Sequence, residues 1–256
     1  MTISNDTILI GMPLKNGASS LKRAVKSVLN QRNLTRTMKL LILNDNSDDN
    51  WKEEISDYLK DPRVIIRDVN IGDITQLRNY ILDYSKKELS SQSYIGRLDV
   101  DDYIIDEMFF SKLEKIIDNH NPDVIIAGNK LSVNDEIIKR INYADKKLLN
   151  YEFLKEKLFQ MSQNIPEGEL PSCNVFTKNS INFHYNFVGS AEDHWFTVDL
   201  LLNKNKLNIY IADDLLYVVY SLSGNITNIN RKKKRYISSR QQLYEYFIES
   251  SKESND

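Results

Sequence analysis

Short apolar runs alternate with amphipathic stretches through the first half of the chain, and this alternation constrains the fold more than any other feature of the sequence. The runs at residues 7–13 and 38–45 have the length and apolar content of buried strands. The stretch at residues 19–31 places Leu21 and Val25 at helical spacing, which is typical of an amphipathic helix. Strands that alternate with helices of this length form βαβ units. The sequence therefore predicts an α/β fold with a mostly parallel, twisted sheet flanked by helices.

The same pattern assigns further elements along the chain. It predicts strands at residues 63–69, 93–99 and 122–133, and helices at residues 51–59, 74–85 and 107–119. After about Ile141 the rhythm changes, and the pattern predicts a helix at 145–160, a loop at 161–172, a strand at 173–178, a helix at 191–204, and two short strands within 207–220 joined by a turn at Asp213 and Asp214. Because no linker rich in Pro, Gly or Ser divides the chain, we expect one domain over residues 1–230, with halves at about 1–135 and 136–230, and a basic helix or tail at 231–256.

Bulk composition excludes several classes of protein. The 34 Lys and Arg residues balance the 36 Asp and Glu residues, so the overall charge does not predict binding to nucleic acid. The single cysteine, Cys173, excludes an internal disulfide framework and a cysteine metal cluster. The sequence shows no signal-peptide pattern, and no run approaches the roughly 18 apolar residues that a membrane span needs. We therefore expect a cytoplasmic protein.

Carboxylates follow three of the first four predicted strands, at the point where each strand ends. The loops read "NDNSDDN" after the second strand, "DVNIGD" after the third and "DVDDY" after the fourth. In open α/β sheets, ligands bind beyond the carboxyl ends of the strands. A crevice lined with carboxylates suits a hard cation such as Mg²⁺ or Mn²⁺, which in turn suits a diphosphate. Arg78, on the helix after the third strand, is a candidate for the complementary positive charge.

Each of these signals also has a plainer interpretation. The run "DVDD" fits a solvated turn with aspartates that cap a helix, because Asp is common at both places. Glu192 and Asp193 also fit acids in the first turn of a helix, where the macrodipole favours negative charge. Arg78 alone fits a surface position. The sequence leaves these alternatives open for each motif taken by itself.

Taken together, the motifs resemble a known family. The segments are "PLKN" (13–16), "NDNSDD" (44–49), "NIG" (70–72) followed by "LRN" (77–79), "LDVDD" (98–102) and "AEDHWF" (191–196). Their order and approximate spacing resemble those of family 2 glycosyltransferases, which have the GT-A fold. The resemblance covers residues from about 8 to about 227 and implies that residues 1–135 bind a nucleotide-sugar, while residues 136–230 bind the acceptor.

The resemblance also implies a role for individual residues. It implies that Asp193 is the catalytic base, and that Glu192 and His194 lie on the acceptor side. The donor-binding residues that it implies are Pro13 and Asn16 in the first motif, Asp45 against the nucleobase, Arg78 near the diphosphate and Asp101 at the ribose. Asp102 and Asp99 are implied as the metal-site residues, with Asp102 the direct ligand. Lys15 departs from the family pattern, since many members carry an aromatic residue there.

The implied reaction is metal-dependent transfer of a sugar from a nucleotide-diphosphate sugar, with UDP expected as the nucleotide and Mn²⁺ or Mg²⁺ as the cofactor. The acceptor is expected to be a hydroxyl of a glycan or glycolipid, in the synthesis of a surface glycan or another glycoconjugate. Transfer with one base and direct displacement predicts inversion at the anomeric carbon. The Gln-x-x-Arg-Trp motif of processive synthases does not follow "AEDHWF", which favours a non-processive enzyme.

Two other functions compete with this interpretation. A DxD phosphatase of the haloacid dehalogenase type would use the first aspartate as a nucleophile, but that motif normally follows the first strand rather than the fourth. A nucleotide-sugar-binding module without strong catalysis is the non-enzyme alternative, and the presence of Asp101, Asp102 and Asp193 argues against it. A Rossmann dehydrogenase is excluded because the sequence has no G-x-G-x-x-G.

The basic run "RKKKR", from Arg231 to Arg235, has two interpretations. Such a run is usually a solvated surface. It is also a candidate for peripheral contact with the inner face of a membrane, because the expected helix after it carries apolar and aromatic residues, namely Tyr236, Ile237, Leu243, Tyr246 and Phe247.

Overall fold

A computed structural model describes residues 6–172, 174–186, 188–222 and 235–253. Cys173 and the basic residues 231–234 lie outside the described residues. Of the basic run, the structure therefore describes only Arg235. The strands are β1 Thr7–Leu14, β2 Thr37–Asp45, β3 Val64–Val69, β4 Tyr94–Arg97, β5 Tyr103–Ile104, β6 Val124–Val133, β7 Glu136–Asn142, β8 Val175–Lys178 and β9 Ile209–Ser221. The helices are α1 Ala18–Leu29, α2 Trp51–Glu54, α3 Ile74–Glu88, α4 Phe109–His120, α5 Tyr151–Ser162, α6 Glu192–Leu202 and α7 Arg235–Glu253.

One sheet contains all nine of these strands, in the order β3-β2-β1-β4-β8-β6-β9-β5, with β7 paired to β6. The first four strands are parallel neighbours, with β1 between β2 and β4, and β2 next to β3. Their carboxyl ends therefore meet at one edge of the sheet. Antiparallel pairs enter with the later strands, at β4–β8, β6–β8, β6–β7 and β5–β9. The α/β architecture with a largely parallel, helix-flanked sheet is confirmed.

The two faces of the sheet carry separate cores, which explains the uninterrupted apolar run of β1. Ile8 and Ile10 point into one cluster, which includes Phe109 of α4, while Leu9 points into the other cluster together with Leu77 of α3. A strand buried on both faces has no polar side to alternate with. The helices on both faces hold the ends of the parallel strands in fixed positions.

The second half differs from the predicted pattern at three places. The two short strands expected within 207–220 are one strand, β9, whose pairing with β6 jumps from Ala127↔Ala212 to Gly128↔Leu216. Asp213 and Asp214 therefore form a bulge in β9, and not a turn between strands. The hairpin strand β7 was not predicted, because its side chains are mostly exposed and show no alternation. The helix expected at 145–160 is divided at Asn150, whose side chain accepts a hydrogen bond from the backbone N–H of Phe153 and caps α5.

The C-terminal helix α7 packs onto the second core. Tyr236, Leu243 and Phe247 are buried, and Phe247 stacks on Tyr151 of α5 with 5.2 Å between ring centroids. These three side chains therefore belong to the core, while Ile237 of the same helix is exposed. Contact of the basic run with a membrane stays a prediction. Among the described helices, none is long and apolar enough to cross a membrane.

Candidate active site

The loops after β1 and β2 are joined by hydrogen bonds. Lys15 Nζ donates to the carbonyl oxygen of Asp45 at 2.6 Å. The backbone N–H of Asn16 donates to Ser47 Oγ at 3.0 Å, and Asn16 Oδ1 accepts from the backbone N–H of Asp48 at 3.0 Å. Asn16 has a φ of 50°, a left-handed conformation that Asn tolerates better than most residues. Lys15 and Asn16 of the "PLKN" segment therefore hold the two loops together, while Pro13 is buried in β1 opposite Leu43.

Asp45 ends β2 and shapes the loop after β3. Its side chain is buried, and it accepts hydrogen bonds from the backbone N–H groups of Ile71 at 2.6 Å and Gly72 at 2.9 Å. Gly72 has a φ of +74°, which favours glycine at this position. A carboxylate has about four lone-pair sites, so these bonds leave acceptor capacity for a ligand. The nucleobase role of Asp45 stays a prediction.

Arg78 is buried in α3, which rules out the surface interpretation. Its guanidinium pairs with Glu192 at the start of α6, and its Nη2 lies 3.4 Å from Asp99 Oδ2. It also lies over the ring of Tyr185, 5.6 Å from the centroid. Arg78 therefore connects the loop after β4 with the first turn of α6.

Arg97 was missed by the sequence analysis. It is the last residue of β4 and is buried, with Nε 3.3 Å from Asp99 Oδ1 and Nη2 3.7 Å from Asp193 Oδ2. A signal for it was present, because an arginine inside an apolar strand needs charged partners when it is buried. Arg97 lies between the predicted metal-site residues and the predicted base, and so brings the two parts of the site together.

The three aspartates of "DVDD" have different surroundings. The Asp99 side chain is 23% exposed and pairs with Arg78 and Arg97. Asp102 is buried, and its Oδ1 accepts the backbone N–H of Ser221 in β9 at 2.9 Å. Burial, together with the charges of Asp101 and Asp99, raises the pKa of Asp102 well above its usual range. Burial and Asp99 raise the pKa of Asp101 to about 6. This is not the behaviour of a solvated turn, in which the carboxylates would be hydrated.

A divalent cation fits this group of aspartates. Burial first, and neighbouring carboxylates second, raise the pKa values of Asp101 and Asp102, and a bound cation would favour the ionised form of both. Within the described residues, no three His, Cys, Asp or Glu side chains converge into a cation site. Mg²⁺ is usually bound by one or two carboxylates with substrate phosphates and water completing the shell. Asp101 and Asp102 therefore fit as part of a coordination shell that a diphosphate would complete. This set differs from the predicted pair of Asp102 and Asp99, because Asp99 is paired with Arg78 and Arg97. The ribose role of Asp101 stays a prediction.

Asp193 and His194 form a close pair in the first turn of α6. Asp193 Oδ1 lies 3.0 Å from His194 Nδ1, and Asp193 Oδ2 accepts a hydrogen bond from Ser172 Oγ at 3.2 Å. Burial acts to raise the pKa of Asp193, but His194, Arg97 and Arg78 outweigh it and hold the pKa well below the usual range. The carboxylate is therefore ionised at neutral pH, as a proton acceptor must be.

His194 has a second carboxylate partner on its other side. Its Nε2 lies 3.1 Å from Glu169 Oε2. Burial alone would lower the pKa of His194, but Asp193 and Glu169 raise it to about 9. Glu169 was missed by the sequence analysis, because it lies in a segment of loop that carries no pattern. The structure gives Glu192 and His194 partners inside the site, and their contact with an acceptor stays a prediction.

Comparison with known proteins identifies the family of the chain. The family model described as "Glycosyl transferase family 2" matches residues 9–184, which is more than half of the chain. The poly(ribitol-phosphate) beta-N-acetylglucosaminyltransferase TarP of Staphylococcus aureus is 28% identical over 254 residues, with 93% of this chain and 71% of that protein covered. An uncharacterized glycosyltransferase of Mycoplasma genitalium, MG025, is 32% identical over 130 residues, with 50% of this chain and 41% of that protein covered.

Solved structures share the fold. S. aureus TarS 1–349 in complex with UDP-GlcNAc superimposes with a TM-score of 0.65 at 17% identity, and the match covers 95% of this chain and 72% of that one. The same fragment in complex with UDP also gives a TM-score of 0.65, with 94% of this chain and 70% of that one covered. At this identity the likeness shows the GT-A fold alone. The activity is shown by the family match. Because the family model matches more than half of the chain, the chain belongs to glycosyl transferase family 2 and is a glycosyltransferase.

Proposed function

We propose that this chain transfers a sugar from a UDP-sugar, with UDP-N-acetylglucosamine as the first candidate, to a hydroxyl of a poly(ribitol phosphate) or a similar phosphate-containing glycan. The observation that carries the proposal is the position of Arg97, which connects Asp99 on the donor side with Asp193 on the base side. The choice of donor and acceptor is supported by the name of the TarP relative and by the UDP-GlcNAc complex of TarS.

The donor diphosphate would lie against Asp101 and Asp102. A divalent cation held by these two carboxylates would stabilise the negative charge of the leaving group as a Lewis acid. Arg78 and Arg97 both contact Asp99, two residues before Asp101, and would add positive charge near the developing diphosphate. Asp45, with its fixed loop, stays the proposed contact for the nucleobase.

The acceptor hydroxyl is a poor nucleophile and needs a base. In the proposed step, Asp193 takes the hydroxyl proton while the acceptor oxygen forms a bond to the anomeric carbon. The bond from that carbon to the diphosphate breaks, and the UDP oxygen keeps the electron pair. A positioned general base typically contributes about 10²–10⁴-fold. Direct displacement on one face inverts the anomeric carbon, so we propose an inverting, non-processive transfer.

The phosphatase alternative has less support in the geometry. Asp99, which would be the nucleophile, is paired with two buried arginines. Those ion pairs hold its oxygens and reduce their availability for attack. A module that only binds a nucleotide-sugar would not need an ionised Asp193 beside a buried imidazole.

The full chain can test the proposal with a panel of donors. Purified protein is mixed with UDP-GlcNAc, UDP-glucose or GDP-mannose, with and without Mn²⁺, and with poly(ribitol phosphate) as the acceptor. We expect thermal stabilisation by UDP donors that depends on Mn²⁺, and sugar transfer that EDTA abolishes. Donor binding without transfer to poly(ribitol phosphate) would refute that acceptor, and transfer that continues in EDTA would refute the metal. The absence of stabilisation by every nucleotide would refute the donor site itself.

A further inference from the structure

A row of charged side chains connects the C-terminal helix with the proposed base. Glu169 Oε1 accepts a hydrogen bond from Tyr236 OH at 2.7 Å, and Arg240 Nη2 lies 3.2 Å from both oxygens of Glu169. The second oxygen of Glu169, Oε2, contacts His194 Nε2, and His194 Nδ1 contacts Asp193 Oδ1. Tyr236 and Arg240 belong to α7, about forty residues beyond α6 in the chain. The proposed base is therefore in contact, through two side chains, with the part of the protein that the sequence presented as a tail.

The geometry fixes the protonation state and the ring orientation of His194. Its two ring nitrogens each face a carboxylate oxygen, at 3.0 Å for Asp193 and at 3.1 Å for Glu169. A neutral imidazole has one donor and one acceptor nitrogen, whereas an imidazolium has two donors. Two carboxylates on opposite sides therefore favour the imidazolium. They also prevent the ring from rotating, because both ends are held.

Glu169 is itself held in place. It is mostly buried, and His194, Arg240 and Tyr236 together hold its pKa below the usual range although burial acts to raise it. The Arg240 guanidinium stacks over the Tyr236 ring, with Cζ 3.4 Å from the centroid. A buried carboxylate with charged and hydroxyl partners has a single orientation, since any rotation would break several charge-assisted bonds.

We propose that Glu169, held by Arg240 and Tyr236 of α7, is a positioning residue for the transfer: it fixes His194 as an imidazolium that aims the Asp193 carboxylate at the acceptor hydroxyl. This inference rests on the proposed function. The C-terminal helix thereby becomes part of the machinery of the base. A misplacement of about 1 Å in a reacting group can cost about 100-fold in rate, so an indirect contact of this kind has a measurable effect.

The charged groups around His194 determine which titration the pH dependence of kcat follows. His194 is faced by Asp193 on its own helix, by Glu169 and Ser172 from the segment before β8, and by Arg240 from α7. Asp193 is faced in addition by two arginines, Arg97 from β4 and Arg78 from α3. Arginine keeps its charge at every pH that an assay uses. Two tyrosines also lie in the cluster, Tyr236 against Glu169 and Tyr185 near Asp193, and both can lose a proton at alkaline pH. Among the other side chains of the cluster, the one that changes charge between neutral and alkaline pH is His194.

The test compares Glu169→Gln with Glu167→Gln. Glu167 is exposed and lies two residues away, so the control makes the same chemical change beside the same loop. We expect Glu169→Gln to lower kcat by about 10- to 100-fold with the KM for the donor unchanged. The loss of an anionic partner lowers the pKa of His194, so the alkaline limb of the kcat profile moves to lower pH. Glu167→Gln leaves both quantities as in the wild type.

Two further measurements distinguish positioning from simple structural support. The chain has three histidines, so NMR with ring-labelled histidine can follow His194 directly, with His194→Asn to assign its signal. We expect a titration near pH 9 in the wild type and a lower value in Glu169→Gln. The double variant Glu169→Gln with Arg240→Gln tests the connection, because two residues that act through one another lose less together than the sum of their separate losses.

The outcomes separate this inference from the proposed function. If the wild type transfers sugar while Glu169→Gln keeps the wild-type kcat profile and His194 titration, the inference fails and the proposed function stands. If Glu169→Gln lowers only the melting temperature, Glu169 has a structural role and the inference also fails. If the wild type binds no donor and transfers no sugar, the proposed function fails, and the positioning role fails with it.

Discussion

Two groups of carboxylates are connected through Arg78 and Arg97, and their charges are balanced in different ways. The first, which we name the strand-end carboxylates, consists of Asp99, Asp101 and Asp102. The second, the helix-side carboxylates, consists of Glu169, Glu192 and Asp193. Each helix-side carboxylate faces a cation from its own chain: Glu169 faces Arg240 and His194, Glu192 faces Arg78, and Asp193 faces His194.

Among the strand-end carboxylates, Asp99 pairs with Arg78 and Arg97, but Asp101 and Asp102 crowd one another and Asp99. The pKa values of Asp101 and Asp102 are raised by burial and by neighbouring carboxylates, which outweigh the nearby arginines. The pKa values of Asp193 and Glu169 are lowered. The comparison indicates that the base side is electrostatically complete in the polypeptide, while the donor side has a place for an added cation. Arg97 touches both groups and so belongs to both.

The largest effect is expected from Asp193→Asn, which removes the proton acceptor from the helix-side group. Transfer should fall by at least about 10²–10⁴-fold, because an amide cannot take the proton. Donor binding should stay as in the wild type, because the strand-end group is untouched; kcat and a UDP-sugar titration measure the two effects. Asp199→Asn on the same helix is the matched control, since its carboxylate bonds Tyr246 and Asn186 outside the site. An active Asp193→Asn variant would refute the assignment of the base.

The next effect concerns Arg97, which the two groups share. Arg97→Met leaves Asp99 and Asp193 with less compensation, and removal of one partner from a buried ion pair typically costs about 3–5 kcal/mol. Urea unfolding of this variant against Arg67→Met, an exposed arginine on β3, measures that cost. The double variant with Asp193→Asn should recover part of it, because it removes one of the two stranded charges. A loss equal to that of Arg67→Met would mean that Arg97 does not connect the groups.

The sequence indicated all three strand-end carboxylates, whereas in the helix-side group it indicated Glu192 and Asp193 but missed Glu169. The physical reason lies in sequence distance. Parallel strands place their ends at one edge whatever the loops contain, so Asp45 and the "DVDD" run could be brought together from pattern alone. The partners of Glu169, His194 and Arg240, lie 25 and 71 residues further along the chain. A local sequence pattern cannot predict contacts over such separations. Arg97 was overlooked because its strand has the apolar pattern of a buried element.

The C-terminal helix shows the same limit. Its apolar face was compatible with a membrane surface or with a core, and periodicity does not say which of the two covers an amphipathic helix. The long strand β9 was divided in the prediction because Asp213 and Asp214 resemble a turn. Their exposure in a bulge, with Asp213 3.0 Å from Lys146, explains how two acidic residues fit inside a strand.

The smallest expected effect is a gain in stability at the strand-end group. Folding raises the pKa of Asp101 from 3.8 to about 6, so the folded state favours the neutral carboxyl. The stability that this preference provides is fully present below pH 3.8 and is lost as the pH rises through about 6. An asparagine stays neutral at every pH. Asp101→Asn should therefore be more stable than the wild type above pH 6, by about 1–2 kcal/mol after allowance for partial exposure to water.

The gain should depend on pH and on metal, which separates it from an ordinary packing effect. Without metal, the two proteins should have equal stability near pH 4 and should diverge by pH 8, in urea unfolding at each pH. Asp48→Asn, an exposed aspartate of a neighbouring loop, should show no such divergence. Addition of Mn²⁺ with UDP at pH 8 should make the wild type more stable than Asp101→Asn. A bound cation stabilises the ionised carboxylates as its ligands, and Asp101→Asn has lost one of these ligands. Equal stability of the two proteins at pH 8 would show that water already relieves the crowding, and the contrast between the two groups of carboxylates would then rest on Asp102 alone.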